Sequence, residues 1–395
     1  VHFVGIELLA LLFVVVQLRH GLATDEAKYL LSIPYPHPPV LRGFFHLLSP
    51  WSLQEAVVRI LLSSVLCQSV WFLVPLTQGV SNNRRKLLIL AWLLSPALLL
   101  QSGTIMLIVP CAILGLFLVC RALHNRNLSP LEVPLLSIIW ILSLFSVYQT
   151  VLLTPLVLHL LRRSPLDRWK VYVLTFVPVI FLGFYTIGHP LILATFFKVS
   201  VQDNALPFVA RCTQILTTII LSTGILTIPG FIGIALSRHR ALQGTILLIV
   251  AYIILTAQQY YAILLTPLCI GGLIPWFHRR SLRISFFIGA HVVTSALLVW
   301  WMFPSMNMAP SRLVMQELLR VQTYGMVIID GPFGHDWQYE AKKLSIRSFH
   351  DELSKDVEHQ ASYFICTKKD CSEDIDDQLW QKDRDIAGVG VWRRQ

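Results

Sequence analysis

Long apolar runs alternate with short polar stretches over the first three-quarters of the chain, from Phe3 to Phe303. Most runs are about 15 to 20 residues long or more, and about 20 helical residues cross the hydrocarbon of a bilayer. The pattern therefore predicts a polytopic α-helical membrane protein with about eleven transmembrane helices.

The pattern changes at Pro304, beyond which charges of both signs appear and apolar runs become shorter. A strand, a helix, a second strand and a candidate third strand are predicted at Tyr324 to Asp330, Asp336 to Lys355, Ala361 to Cys366 and Val389 to Trp392. We therefore expect two domains, a transmembrane module over 1–303 and a small α/β domain over 304–395.

A long loop, residues 19–53, separates the first two apolar runs. Its second half, Leu41 to Trp51, contains aromatic and aliphatic residues at spacings that suit a short helix lying in the membrane interface. Between the first run and this stretch the loop contains several charged side chains. We expect the loop to lie at a membrane surface and to contain the active site.

Composition excludes a soluble protein of this length, because 55% of the 395 residues are hydrophobic, 14% are charged and the mean hydropathy is +0.64. The net charge of +10 would suit a nucleic-acid partner, but the basic residues form short clusters between apolar runs. These clusters are Arg84 to Lys86, Arg121 to Arg126, Arg162 to Lys170, Arg238 to Arg240 and Arg279 to Arg283. Such clusters are typical of cytoplasmic loops, so we predict no nucleic-acid partner.

A single orientation is consistent with every basic cluster. Counting crossings from a cytoplasmic N-terminus places all of them on the cytoplasmic side. The loop 19–53, the loop from His189 to Arg211 and the C-terminal domain then lie on the outer face. We predict a multi-pass protein of the plasma (inner) membrane with an extracytoplasmic C-terminal domain, in which Cys366 and Cys371 are candidates for a disulfide.

Acidic residues are scarce in the membrane part, where only seven of the 22 occur. Four of these seven, Asp25, Glu26, Glu55 and Asp203, fall on the predicted outer side. A reaction on the outer face that needs a carboxylate would have to use this short set. The adjacent pair Asp25-Glu26 is the strongest candidate, since Lys28, His37 and Arg42 follow it in the same loop.

Two segments resemble the GT-C glycosyltransferases, in particular the bacterial protein O-mannosyltransferases and aminoarabinose transferases of glycosyltransferase families 39 and 83. Asp25-Glu26-Ala27 after the first span, followed by His37-Pro38-Pro39, is similar to the first outer loop of that family. Gln259-Tyr260-Tyr261, followed by Pro267, is similar to its Arg-Tyr…Pro segment, although Gln259 stands where the family often has arginine. The resemblance covers the membrane part, and the C-terminal domain resembles no family that we can name.

The resemblance implies transfer of a sugar from a polyprenyl-phosphate donor to a hydroxyl acceptor on a lipid, protein or polysaccharide, with inversion. Asp25 would act as general base and Glu26 would position the acceptor or a neighbouring cation. Donor and phosphate contacts would come from Lys28, His37, Arg42, Arg211, Tyr260 and Tyr261. Cationic side chains can stabilise the departing phosphate, so a metal is not required and no cofactor is expected.

Two other functions suit an apolar chain of this kind. A transporter or flippase of lipid-linked sugars would carry charges deep in several spans and show repeated halves, and the sequence shows neither. An inactive relative that binds a polyprenyl lipid is the second alternative. Each site residue also has a structural interpretation: a solvated acidic pair, a rigid proline turn, or cations and tyrosines at the lipid interface.

Overall fold

A computed structural model describes residues 2–32, 39–48, 53–124, 126–197, 207–237, 239–256, 259–278, 282–302, 308–321, 325–330, 334–350, 360–367, 375–376 and 378–395. Helices α1 to α18 are His2–His20, Thr24–Leu30, Pro39–Leu48, Gln54–Gln68, Asn82–Leu93, Pro96–Gln101, Ile108–Leu123, Glu132–Leu144, Thr154–Leu161, Arg168–Ile187, Pro190–Phe197, Phe208–Thr223, Thr227–Leu236, Arg240–Thr256, Thr266–His278, Leu282–Met302, Pro310–Arg320 and His335–Lys343. Strands β1 to β5 are Met326–Asp330, Arg347–His350, Ala361–Cys366, Trp380–Ile386 and Val389–Arg394.

The chain forms two compact units whose boundaries differ from a simple cut in sequence. The first consists of Val1–Leu11, Pro36–Arg42 and Ile60–Pro304, and the second of Leu12–Tyr35, Gly43–Arg59 and Ser305–Gln395. Most of the long first loop therefore belongs to the same unit as the C-terminal residues. The predicted domains, 1–303 and 304–395, stay a prediction.

The described part is mostly helical and contains helices suited to a membrane. Four helical segments are long and apolar enough to cross a bilayer, namely Gln54–Thr77, Arg168–Ile187, Val209–Leu236 and Ile284–Trp301. Shorter apolar helices are Ile108–Leu123, Glu132–Leu144, Tyr148–Leu161, Arg240–Thr256 and Tyr261–Trp276. A mostly helical fold with helices long and apolar enough to span a membrane is thus confirmed, and the count of about eleven spans stays a prediction.

Several predicted boundaries differ from the structure. The predicted outer loop after His189 contains a helix, Pro190–Phe197. The apolar run from about Leu87 to Leu100, which the sequence predicts as one span, is interrupted at Ser95. One helix ends at Leu93 and the next begins at Pro96, since proline suits the first turn of a helix and not its interior.

Helix α15 is the buried centre of the first unit, and glycines let its neighbours approach closely. Leu268 and Leu273 are fully buried. A Cβ added at Gly230 of α13 would lie 2.7 Å from the Cα of Cys269 in α15, and one at Gly233 would collide with the carbonyl of Gly272. Small residues at such contacts allow backbones to pack directly, as is common between membrane helices.

The second unit contains a five-stranded sheet in the order β2-β1-β3-β5-β4. Strand β1 is parallel to β2 and β3, while β5 is antiparallel to β3 and β4. Val327 and Ile329 of β1 pack with Val314 and Leu318 of α17, so this helix covers one face of the sheet. The C-terminal part is a small sheet domain with helices, as the change in pattern predicted.

Three predicted strands are confirmed, and two others were missed. The helix predicted from Asp336 to Lys355 is wrong between Lys343 and His350, because Ser345 has a φ of 59° and β2 begins at Arg347. Residues 351–355 lie outside the described residues. Strand β4 was missed because most of its residues are exposed and charged, so it lacks an apolar pattern. A turn at Ala387-Gly388, with φ of 54° and 78°, joins it to β5 as a tight hairpin.

Most of the described cysteines are buried. The buried free thiols are Cys67, Cys111, Cys120 and Cys269, and Cys212 is free and exposed. Cys366, at the end of β3, is disulfide-bonded, and Cys371 lies outside the described residues. The buried thiols act as small core residues.

Candidate functional site

The acidic pair lies in the first turn of α2, directly after the turn that ends α1. Gly21 makes this turn with a φ of 108°, a conformation that favours glycine. The Ala23 N–H donates to the Glu26 carboxylate over 2.7 Å, which satisfies an amide at the start of the helix. Two carboxylates at a helix N-terminus are also favoured by the helix dipole.

The two adjacent carboxylates have different surroundings. The Asp25 side chain is 52% exposed and lies 3.3 Å from the Lys28 ammonium, one turn along the same helix. The Glu26 side chain is only 4% exposed and accepts a hydrogen bond from the Arg59 guanidinium over 3.0 Å. The exposed carboxylate can meet a substrate, whereas the buried one holds its helix in place.

Arg59 connects the acidic pair to the start of α4 and is fully buried. Besides Glu26, it donates to the Glu55 carboxylate over 3.2 Å and to the Gly21 carbonyl over 2.9 Å. The guanidinium therefore fixes both the turn before α2 and its first turn.

Glu55 extends the ion pairs to the C-terminal helices. Its carboxylate accepts from Arg312 of α17 over 2.9 Å and from Lys343 of α18 over 3.0 Å. Arg312 donates in turn to Glu340 of α18 over 2.6 Å. We call Glu26, Arg59, Glu55, Arg312, Glu340 and Lys343 the charge network. Its three carboxylates and three cations balance.

The electrostatics at the C-terminal end of the charge network favour the ionised arginine. Burial lowers the pKa of Arg312, but hydrogen bonds and charge from Glu340 and Glu55 outweigh burial and raise it above its usual value. Burial raises the pKa of the neighbouring Tyr339 phenol, and the charges of Glu55 and Glu340 raise it further. Tyr339 is therefore a neutral neighbour of a paired ionic cluster.

The far end of α2 is also held by buried contacts. The Gln54 amide donates to the Leu30 carbonyl over 3.2 Å and to the Phe45 carbonyl over 3.0 Å. The rings of Tyr29 and Phe45 stack with centroids 5.9 Å apart. Helix α2 is thus fixed at both ends, while Asp25 on its first turn stays exposed.

The other predicted site residues fall in different places. Lys28 lies beside Asp25 in the second unit, and its side chain is 11% exposed. Arg42, which is exposed, and Arg211, which donates to the Ile254 carbonyl, belong to the first unit. His37 and the side chain of Tyr260 lie outside the described residues.

Tyr261 belongs to a polar cluster in the first unit that sequence reasoning missed. The Gln149 amide donates to the hydroxyls of Tyr252 and Tyr261 over 3.1 and 2.9 Å, and the two rings meet edge to face 5.0 Å apart. A cavity of about 130 Å³ in the same unit is bordered by Cys111 and Thr150. Tyr261 thus has a structural partner, and a sugar-binding role for it stays a prediction.

Arg59 and Arg312 were also missed. Arg59 follows Glu55 by four residues inside an apolar segment, and this helical spacing of opposite charges was a usable signal. Arg312 is 257 positions from Glu55, and no local pattern links them.

Among the described residues, no group of three or more histidines, cysteines and acids could hold a metal ion. No protein-family model, curated protein or solved structure matches this chain. The fold and the site define the class: a mostly helical protein with apolar helices long enough to cross a membrane, and with a small C-terminal sheet domain.

Proposed function

We propose that this protein is a membrane glycosyltransferase of the GT-C type with about eleven spans. It moves a sugar from a polyprenyl-phosphate donor to a hydroxyl acceptor on the outer face of the membrane. The observation that carries this proposal is the arrangement of the acidic pair: Glu26 is locked to Arg59, and this leaves the adjacent Asp25 exposed on a fixed helical turn.

The reaction is a single displacement that needs one base. Asp25 accepts the proton of the acceptor hydroxyl, whose oxygen attacks the anomeric carbon of the sugar. The bond between that carbon and the phosphate oxygen breaks, and the polyprenyl phosphate leaves with the electron pair. Attack opposite the leaving group inverts the anomeric configuration.

In this proposal, cationic side chains stabilise the departing phosphate. Lys28 lies beside Asp25, and its ammonium can turn towards a phosphate oxygen. His37, Arg42 and Arg211 are further phosphate partners in this proposal, with Tyr260 and Tyr261 lining the sugar pocket. The reaction as written needs no cofactor or metal.

The location on the outer face rests on two observations. The basic clusters between apolar runs suit the cytoplasmic side. The disulfide at Cys366 suits an oxidising compartment for the C-terminal domain. The bilayer, the lipid-linked sugar and the acceptor are the partners of the protein.

The decisive experiment compares Asp25→Asn with Asp167→Asn in membranes supplied with radiolabelled polyprenyl-phosphate sugars. Asp167 is a matched control, because it is 62% exposed and lies 2.7 Å from Lys170, three residues away, as Asp25 lies beside Lys28. Loss of a general base should lower sugar transfer by about a hundredfold or more in Asp25→Asn. Asp167→Asn should transfer at the wild-type rate.

Three results would overturn the proposal. Wild-type transfer by Asp25→Asn would show that this carboxylate is not the base. Movement of the intact lipid-linked sugar across the membrane, without transfer to any acceptor, would favour a transporter instead. Donor binding without transfer or transport would favour an inactive relative.

A further inference from the structure

The C-terminal helix α17 caps the end of α1, immediately before the acidic pair. The Ala309 N–H donates to the His20 carbonyl over 2.8 Å, and the Arg312 guanidinium donates to the Leu18 carbonyl. Together with Arg59 on the Gly21 carbonyl, these donors satisfy the carbonyls that a helix leaves unpaired at its C-terminus. The turn between α1 and α2 is therefore shaped partly by the C-terminal domain.

The fit around this turn is tight. A Cβ added at Gly21 would lie 3.2 Å from the Cβ of Ala309 and 3.6 Å from the Cζ of Arg312. Helix α18 packs against α2. We therefore expect a displacement of α17 or α18 to displace α2, because α18 contacts α2 directly and α17 contacts the turn that precedes it.

Buried charges are a costly way to hold two elements together. Transferring an ion pair from water to a protein interior carries a desolvation penalty that apolar residues of similar volume avoid. A fully paired network favours a single arrangement of its side chains, because displacing one partner would leave a buried charge without its counter-charge. The side chains of Glu55 and Glu340 are each only 3% exposed, so this argument applies to both.

We propose that the C-terminal domain positions the candidate base: Arg312 and Lys343, acting through Glu55 and Arg59, hold α2 so that Asp25 has a fixed orientation. They are positioning residues, because their contacts in the described part of the chain reach α2 through the charge network and, for Arg312, also through the Leu18 carbonyl at the end of α1. The inference rests on the proposed function for its catalytic consequence, while its structural part can be measured without any activity.

The test uses Arg312→Gln in the full chain in lipid nanodiscs, with Arg320→Gln as the control. Both arginines are on α17 and pair with a glutamate, but Arg320 is 80% exposed and its partner is Glu317. Hydrogen exchange of the α2 amides is expected to accelerate about tenfold in Arg312→Gln and to stay unchanged in Arg320→Gln. The amides of β3 should stay protected, which shows that the sheet is intact.

Steady-state kinetics of sugar transfer distinguish a displaced base from an unfolded protein. A misplaced base lowers kcat by about tenfold or more. KM for the donor should change less, because the proposed donor contacts other than Lys28 lie outside α2. Arg312→Lys should restore part of the lost rate, since it keeps the charge. Lys343→Gln, at a side chain 35% exposed, removes one ion pair and should show a smaller shift of the same kind while the sheet stays folded.

Each outcome decides between the two proposals. Unchanged exchange of α2 in both Arg312→Gln and Lys343→Gln overturns the inference, whatever happens to transfer. Faster exchange of α2 with an unchanged kcat also overturns it, because positioning would then be irrelevant to the reaction. If exchange of α2 is faster in the variants but the wild type transfers no sugar, the C-terminal domain does hold α2. In that case the proposed function is wrong and the structural part of the inference stands.

Discussion

Asp25 and Glu26 are adjacent, and yet the Glu26 side chain is buried against Arg59 while the Asp25 side chain faces solvent beside Lys28. Adjacent helical positions are separated by about 100° around the axis, so one can face the core and the other the surface. A single buried carboxylate thus orders the turn that presents the exposed one. In the proposed reaction, Glu26 therefore holds the helix in place and Asp25 accepts the proton.

Glu26→Gln should destabilise the second unit much more than Asp25→Asn. Removing the Glu26 charge leaves the buried Arg59 guanidinium with one fewer carboxylate partner. Breaking a buried ion pair lowers the free energy of unfolding by about 3 kcal/mol or more. Asp25→Asn removes an exposed pair and should cost less than about 1 kcal/mol. Thermal unfolding in detergent, followed by the exposure of tryptophans, checks the difference. Equal melting temperatures for the two variants would show that the charge network adds nothing to stability.

At the scale of elements, glycines decide how closely α13 and α15 pack. Gly230 and Gly233 lie one turn apart on α13 and meet Cys269 and Gly272 of α15. In a bilayer the lipid tails are as apolar as leucine, so helices gain little from burying apolar area and more from close packing. Helix α15 can therefore lie at the centre of the first unit because glycines at the contact with α13 let the two backbones approach closely.

Gly233→Leu should prevent normal packing of the first unit. A leucine there collides with backbone atoms of α15, which cannot move aside as a flexible side chain can, and overpacking of a core costs about 1–3 kcal/mol or more. Gly289→Leu is the matched control, because a Cβ at Gly289 of α16 meets nothing within 4 Å. Size-exclusion chromatography in detergent should give a monodisperse peak for the control and aggregate for Gly233→Leu. Equal profiles would refute the close contact.

At the scale of the whole molecule, the proposed function requires the first loop and the C-terminal domain to be on the same side of the membrane. Both contribute to the charge network within the second unit, and this satisfies the requirement. The prediction that this side is the outer face rests on the basic clusters, which the positive-inside rule favours on the cytoplasmic side. Orientation can therefore be tested at one exposed position on each side.

Single cysteines report the orientation in intact cells. In a Cys212→Ser background, Lys382→Cys should react with a membrane-impermeant maleimide, because Lys382 is 53% exposed on β4. Lys170→Cys, at a side chain 46% exposed, should react only after permeabilisation. The reverse result would place Asp25 in the cytoplasm and would remove the basis for a reaction on the outer face.

Much of the fold was predictable because its causes are local. Apolar runs reveal helices suited to a bilayer, and Ala361 to Cys366 is a strand because its residues suit a buried sheet. Strand β4 escaped prediction because an exposed edge strand lacks an apolar pattern. The number of spans stays a prediction from run length.

The sequence by itself determined that the chain has helices apolar enough for a membrane and few acids between Phe3 and Phe303. It also determined that Asp25 and Glu26 are the strongest candidates among those acids. These features depend only on composition and on which residues are neighbours along the chain, and both can be read directly from the sequence. Only the tertiary structure decided that Glu26 is buried, and that Arg312 meets Glu55 across 257 positions. The physical reason is that the pairing energy of charges depends on burial and distance, and both arise only when remote segments pack together.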